Sequence, residues 1–171
     1  DYLETQKRKK ITLEDYEAVL DSCRSCAEVG AALRLTRDVK FGMNYVRDTN
    51  LRAWTASMVT IYDVEIASGR HFSESELRRS AAVCVVGWDS EVCQVIGVGK
   101  KLGSALGQSR DNWVILPITS FRKTFGTNDS IRIWVKASGA GRLEPAQDEV
   151  RLLLRARRHL SALSRCDRSA I

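Results

Sequence analysis

Proline is almost absent from this sequence, with two in 171 residues, and glycine is limited to eleven. Collagen-like and low-complexity chains are thereby excluded. No apolar run approaches the ~20 residues that carry a helix across a bilayer. The longest are Ala81-Ala82-Val83-Cys84-Val85-Val86 and Trp113-Val114-Ile115-Leu116-Pro117-Ile118. Asp1–Lys10 is polar and ends in Lys7-Arg8-Lys9-Lys10, so no secretory signal is expected there. The two histidines, His71 and His159, stand far apart. Aromatics are few, four each of Trp, Tyr and Phe, and most fall in strand-like apolar runs. Nucleic-acid binding, which interleaves basic residues with exposed aromatics, is therefore not expected.

What is present is an ordinary globular composition, 44% hydrophobic and 28% charged. The length suits one domain, or one domain with a nested subdomain, that can be part of something larger. The net charge of +6 is clustered, in Lys7–Lys10 and in Arg155, Arg157, Arg158, His159, Arg165 and Arg168. Solvated helix ends and contacts with anionic lipid head groups both fit these clusters.

Five cysteines, Cys23, Cys26, Cys84, Cys93 and Cys166, form an odd set that cannot pair completely. Cys23-Arg24-Ser25-Cys26 has the spacing of a redox motif. A redox site belongs at a helix start, where the dipole lowers a thiol pKa, whereas this pair ends a helical pattern. Zinc would need two further ligands at suitable spacing. Small helix-face cysteines are the expectation.

Thr12 and Asp15 resemble a capping box, with Ile11 placed to staple onto Tyr16. Leu13, Tyr16, Leu20, Cys23 and Ala27 predict one helical face. Alternation from Val29 to about Val39 predicts a half-buried strand, and a longer extended region is expected from Met43 to Ile66, with a hairpin turn at Arg47-Asp48-Thr49-Asn50. Ser73-Glu74-Ser75-Glu76 is a full capping box opening a short helix. Strands follow near Ala81–Val86, Cys93–Val98 and Trp113–Leu116. A helix runs from Pro117 to about Phe125, and Ile131, Ile133 and Val135 alternate as a strand. Glu144-Pro145 opens the last helix, with Val150, Leu153, Leu154, Arg157 and Leu160 as its inward stripe. This order predicts an α+β fold.

Gly97-Val98-Gly99-Lys100-Lys101-Leu102-Gly103 follows a strand, as a phosphate-cradling loop would, but fits neither G-x-G-x-x-G nor the Walker pattern. A flexible strand-end loop is expected. No Ser or Cys sits in a G-x-S-x-G elbow. Asp15, Glu17, Glu74 and Glu76 lie at helix starts, where the dipole accounts for them. No catalytic, cofactor-binding or metal-ligating residue is assigned, and no cofactor is expected.

Several segments, taken in order, carry a resemblance. They are Ile11-Thr12-Leu13-Glu14-Asp15, then Ile61-Tyr62-Asp63-Val64-Glu65-Ile66-Ala67-Ser68-Gly69-Arg70-His71-Phe72-Ser73-Glu74-Ser75-Glu76-Leu77, then Val83-Cys84-Val85-Val86-Gly87. Val95-Ile96-Gly97-Val98, Val114-Ile115-Leu116-Pro117-Ile118-Thr119, Ile131-Arg132-Ile133-Trp134-Val135-Lys136 and Leu152–His159 complete the series. The sequence resembles the MacB-like periplasmic core domain of ABC transporter permeases. The elements are weak singly; their shared order over nearly the whole chain is what makes the match specific.

The resemblance implies a porter-like α/β subdomain, residues 1–40 and 127–171, with an inserted mainly-β subdomain, 41–126. It implies a place on the periplasmic side of the bacterial inner membrane, between two transmembrane helices, with Asp1 and Ile171 facing the same side. A cytoplasmic ATPase, a second permease copy, and a periplasmic adaptor or substrate are the implied partners; nucleic acid is not one. No catalysis is implied. A cell-envelope thiol-redox or hydrolytic enzyme, and a stand-alone binding module, are the alternative readings. The sequence departs from the family between Gly87-Trp88-Asp89 and Val95-Ile96-Gly97-Val98, where only Ser90–Gln94 intervene and roughly two dozen family residues have no counterpart. A natural trimming of the insert and a join across a missing segment both fit.

Overall fold

The computed structural model describes residues 9–41, 44–87, 94–105, 108–126 and 129–158, with the side chains at 39–46 and 105–109 left aside. In chain order the elements are α1 (Leu13–Ser22), β1 (Cys26–Phe41), β2 (Asn44–Trp54), α2 (Met58–Tyr62), β3 (Ile66–Gly69), α3 (Glu74–Arg78) and β4 (Val83–Val86). Then come β5 (Gln94–Gly99), the short ladder β6 (Ser104–Ala105) and β7 (Gln108–Ser109), β8 (Trp113–Pro117), α4 (Ile118–Phe125), β9 (Arg132–Ala137) and α5 (Leu143–Arg157). The fold is mixed α+β and divides into two compact units. One comprises Asp1–Ala31 and Asp129–Ile171, the other Ala32–Asn128.

The first unit is made from both ends of the chain. The Thr12 N–H donates to Asp15 Oδ2 at 3.1 Å, which satisfies a donor at the α1 start. Tyr16 and Val19 are buried, whereas Leu20 is 47% exposed. The buried face is thus Asp15, Tyr16 and Val19, keeping only Tyr16 of the predicted stripe as buried, and Cys23 and Ala27 lie beyond α1, which stops at Ser22. The neutral stripe of α5 is Ala146 and Val150. Two links fasten α5 to the beginning of the chain. Arg157 donates through Nε to Asp15 Oδ1 at 2.9 Å, and Asp15 is buried. Glu149 accepts the N–H groups of Arg24 at 2.9 Å and Ser25 at 3.0 Å. Those backbone donors hold its carboxyl below the usual carboxylate range. The Ile131 N–H donates to the Ile11 carbonyl, and that of Ser138 to the Ser25 carbonyl, both at 3.1 Å.

Cys23 and Cys26 are not separate helix-face thiols, as the sequence predicts, but a disulfide. Cys23 caps the C-terminal end of α1 and Cys26 begins β1. A cross-link closing so short a loop contributes about 2 kcal/mol by chain-entropy reckoning. The Glu149 carboxylate lies 3.7 Å from the Cys23 sulfur. Cys84 is disulfide-bonded as well.

In the second unit the strands lie in the order β3-β5-β4-β8-β2-β1. The β1–β2 pair is an antiparallel hairpin, from Ala32↔Trp54 to Phe41↔Asn44. β2 runs parallel to β8, β8 antiparallel to β4, β4 parallel to β5, and β5 antiparallel to β3. Every residue of Val83-Cys84-Val85-Val86 is buried, as suits an interior strand. On one face Trp54, Val83, Val85, Trp113 and Ile115 pack with Met58 of α2 and with Phe72. Leu51, Ala53 and Val114 alternate to the opposite face, and α4 packs against β2 and β8.

Two expectations fail in this unit. Residues 55–62 turn into α2 instead of continuing a strand, the Met58 N–H donating to the Thr55 carbonyl at 3.2 Å. Trp54, Met58 and Tyr62 recur every fourth residue, a spacing that satisfies strand and helix periods alike. Their helical arrangement stacks Trp54 on Tyr62 with centroids 5.1 Å apart. Arg47–Asn50 is not the hairpin turn either; it lies within β2, whose pairing with β1 continues past it to Phe41↔Asn44. The polar residues mark a bulge instead. Register shifts between Arg37 and Val39, Asp48 adopts φ 51°, and its N–H donates to Asp38 Oδ1 at 3.0 Å.

The join at Ser90–Gln94 lies outside the described residues except for Gln94, the first residue of β5. Asp1 and Ile171 also lie outside them, as do Lys7, Arg8 and the basic residues from His159 onward.

Candidate functional site

The segment Gly69-Arg70-His71-Phe72-Ser73-Glu74-Ser75-Glu76 folds into a clasp, and its parts explain one another. Gly69 has φ +79°, and a Cβ placed on it would lie 2.2 Å from the Ile96 carbonyl oxygen. The Arg70 N–H donates to that same oxygen at 2.9 Å. A Cβ on Gly97 would meet the Arg70 carbonyl oxygen at 2.4 Å. The Gly-Arg and Ile-Gly pairs are therefore two sides of a single contact. Arg70 grips Glu76 with both terminal nitrogens at 2.8 Å, while Glu76 also accepts the Ser73 N–H at 2.9 Å. Phe72 and Leu77 are buried, and Thr119, two residues after Leu116-Pro117, donates its hydroxyl to the Leu77 carbonyl. The clasp is architectural.

Arg70 first, and then the Ser73 N–H, hold the Glu76 carboxyl down at about 2, against 4.5 ordinarily. A folded-state pKa below the unfolded one adds stability that is complete above the unfolded value and drains as pH falls through the folded one. Glu76→Gln is therefore expected to unfold at lower urea than the wild type near neutral pH. The difference should shrink between about pH 4.5 and about pH 2. A difference that stays constant over that window would mean the Arg70–Glu76 link is not ionic.

The loop after β5 is pinned, not flexible as predicted. Asp111 is buried, and its two carboxylate oxygens accept the N–H groups of Leu102 and Gly103, both at 2.8 Å. The backbone donors that a phosphate would need are occupied by the protein's own carboxylate. Gly99 is a packing glycine, since a Cβ there would lie 2.5 Å from the Trp113 ring.

Beside this loop opens a cleft of about 580 Å³, wholly within the second unit. Asn50 and Arg52 of β2, Tyr62 of α2, Lys100, Arg110 and Trp113 are among its walls. Asn50, Arg52 and Trp54 share one face of β2 by alternation. The Arg52 guanidinium carbon lies 5.5 Å from the Trp113 ring centroid and 5.9 Å from that of Trp54. Burial, and then the neighbouring Arg34, lower the Arg52 pKa, while Tyr62 raises it. Lys100 pairs with Glu65 at 2.6 Å. The Oδ1 of Asn50 is buried without a hydrogen-bond partner among the described residues.

His71 sits with Nε2 3.4 Å from the Val64 carbonyl, and burial lowers its pKa. It is not assembled with a nucleophile or an acid among the described residues. His159 lies outside them. The acidic residues singled out in the sequence are dispersed: Asp15 belongs to the α1–α5 link, Glu17 is exposed, and Glu74 and Glu76 open α3. Among the described residues no group of three or more His, Cys, Asp or Glu could hold a metal ion, and no helix is long and apolar enough to cross a membrane. Arg52, Asp111 and Trp113 were not visible as a group in sequence, because they come together only through β2–β8 pairing and the fold-back of the loop.

The family model described as MacB-like periplasmic core domain matches residues 2–153. No curated protein matches the chain. Among solved structures, the extracellular domain of the noncanonic ABC-type transporter YknZ from Gram-positive bacteria is similar at TM-score 0.74 and 17% identity, over 92% of this chain and 89% of that one. The periplasmic region of MacB from Actinobacillus actinomycetemcomitans aligns at TM-score 0.72 and 14% identity, covering 90% and 77%. A domain of a putative permease protein from Porphyromonas gingivalis aligns at 0.56 and 15%, covering 83% and 68%.

Proposed function

We infer the role of this chain from the premise that it belongs to the family of MacB-like periplasmic core domains. It is the periplasmic-type domain of an ABC transporter permease, and its relatives are transporter domains, not enzymes. On our reading it couples ATP hydrolysis in the cytoplasm to a change of arrangement outside the membrane, and thereby to contact with a substrate or adaptor. The porter-like part, 1–40 and 127–171, receives the motion, and the inserted part, 41–126, presents the contact surface. The partners are flanking transmembrane helices, the ATPase and a second permease copy.

One observation carries this reading. The first unit is assembled from both ends of the chain, and Asp15–Arg157 and Glu149 with Arg24 and Ser25 tie α1 to α5. A pull on either end therefore acts on one packed body, which can bias a two-state arrangement. The reading is tested in the gene. Apolar segments of ~20 residues should be encoded on each side of this chain. Stop codons directly on both sides would overturn it.

A further inference from the structure

The cleft in the second unit carries more positive charge than its own residues neutralise. Four cations line it, Arg52, Lys100, Lys101 and Arg110, against the two carboxylates Asp63 and Glu65. Glu65 is committed to Lys100 at 2.6 Å. Among the described residues Arg52, Lys101 and Arg110 have no ion pair. Arg52 is the anomaly. It is half-buried, and in the hairpin register it stands directly opposite Arg34, a like-charge pair that destabilises a sheet. The Trp54 and Trp113 rings stabilise the guanidinium from the side. They supply no hydrogen-bond acceptors, and a guanidinium has five donors to satisfy. Tyr62, on the same wall, is 44% exposed and stacks on Trp54.

We propose that this cleft binds a small organic acid in which a carboxylate is joined to an aromatic or flat apolar group. The carboxylate meets Arg52 in the forked geometry that guanidinium favours, with Lys101 and Arg110 adding long-range attraction. The apolar group lies along the exposed part of the Tyr62 ring. The inference does not depend on the permease role: binding can fail while that reading stands, and the converse.

The probe is N-acetylphenylalanine, with its uncharged carboxamide as the comparison, titrated calorimetrically into the full chain at low salt. The acid is expected to bind at least about tenfold more tightly than the amide, with affinity falling as salt is added. Arg52→Gln should weaken the acid about tenfold or more and leave the amide unchanged. If circular dichroism shows that Arg52→Gln does not fold, the decision passes to Lys101→Gln combined with Arg110→Gln, both on exposed side chains. That double variant should weaken the acid several-fold. Equal binding of acid and amide would overturn the proposal. So would no binding of the acid up to about 10 mM, or unchanged affinity in a folded variant.

Discussion

Gly69→Ala is expected to lower the stability of the second unit by about 3–4 kcal/mol, read as a lower midpoint of urea unfolding. Two costs add. The backbone at φ +79° suits glycine, and an L side chain there costs about 1–2 kcal/mol. The new methyl would also sit 2.2 Å from the Ile96 carbonyl oxygen, a backbone atom already bonded to the Arg70 N–H. It can yield only by pulling β3 from β5. Gly126→Ala separates the two terms, because Gly126 has φ +59° with nothing within 4 Å of its Cβ position. That change should cost about 1 kcal/mol. Equal effects at the two sites would mean that the close approach at Gly69 carries no energy.

Asp111→Ala should be nearly as damaging, at about 3 kcal/mol. It strips the acceptors from the part-buried Leu102 and Gly103 N–H groups and removes two hydrogen bonds to a charged group, each worth roughly 1.5 kcal/mol. Asp111→Asn keeps one acceptor oxygen and should lose roughly half as much. Hydrogen exchange at Leu102 and Gly103 checks the assignment, since both amides should lose protection in Asp111→Ala and one in Asp111→Asn. Unchanged protection in both variants would show that the loop is held by something else.

The capping boxes were readable in advance because they are local. Ser73 and Glu76 sit three residues apart, and their hydrogen bonds require only a helix start. The same holds for strands with alternating or continuous apolar character, such as β4, β8 and β9, whose predicted spans lie within two residues of the observed ones. The family elements were recognisable as strings, but their reason was not, because Gly69 and Gly97 explain each other only across the β3–β5 pairing. Residues 55–62 misled because a spacing of four is a multiple of both two-residue and near-four-residue periods. The bulge at Asp48 misled because Asp, Asn and Thr serve bulges and turns equally. The cleft was hidden for a different reason. Arg52 reads as an outward residue of an alternating strand, and only the placement of Trp113 in the neighbouring strand turns it into a half-buried cation.

Among the described residues the tryptophans give each unit its own optical label. Trp54 and Trp113 are 3% and 4% exposed in the second unit, whereas Trp134, in the first, is 37% exposed. The buried pair should dominate the near-ultraviolet circular dichroism, which depends on fixed packing of aromatic rings. With the fourth tryptophan, Trp88, which lies outside the described residues, replaced by Phe, Trp134 should dominate quenching by a small solute that reaches only exposed indoles. In one urea titration, then, the two signals follow different units. Coincident transitions would show that the units melt as one cooperative body, and separated transitions that the chain's ends and its middle unfold independently.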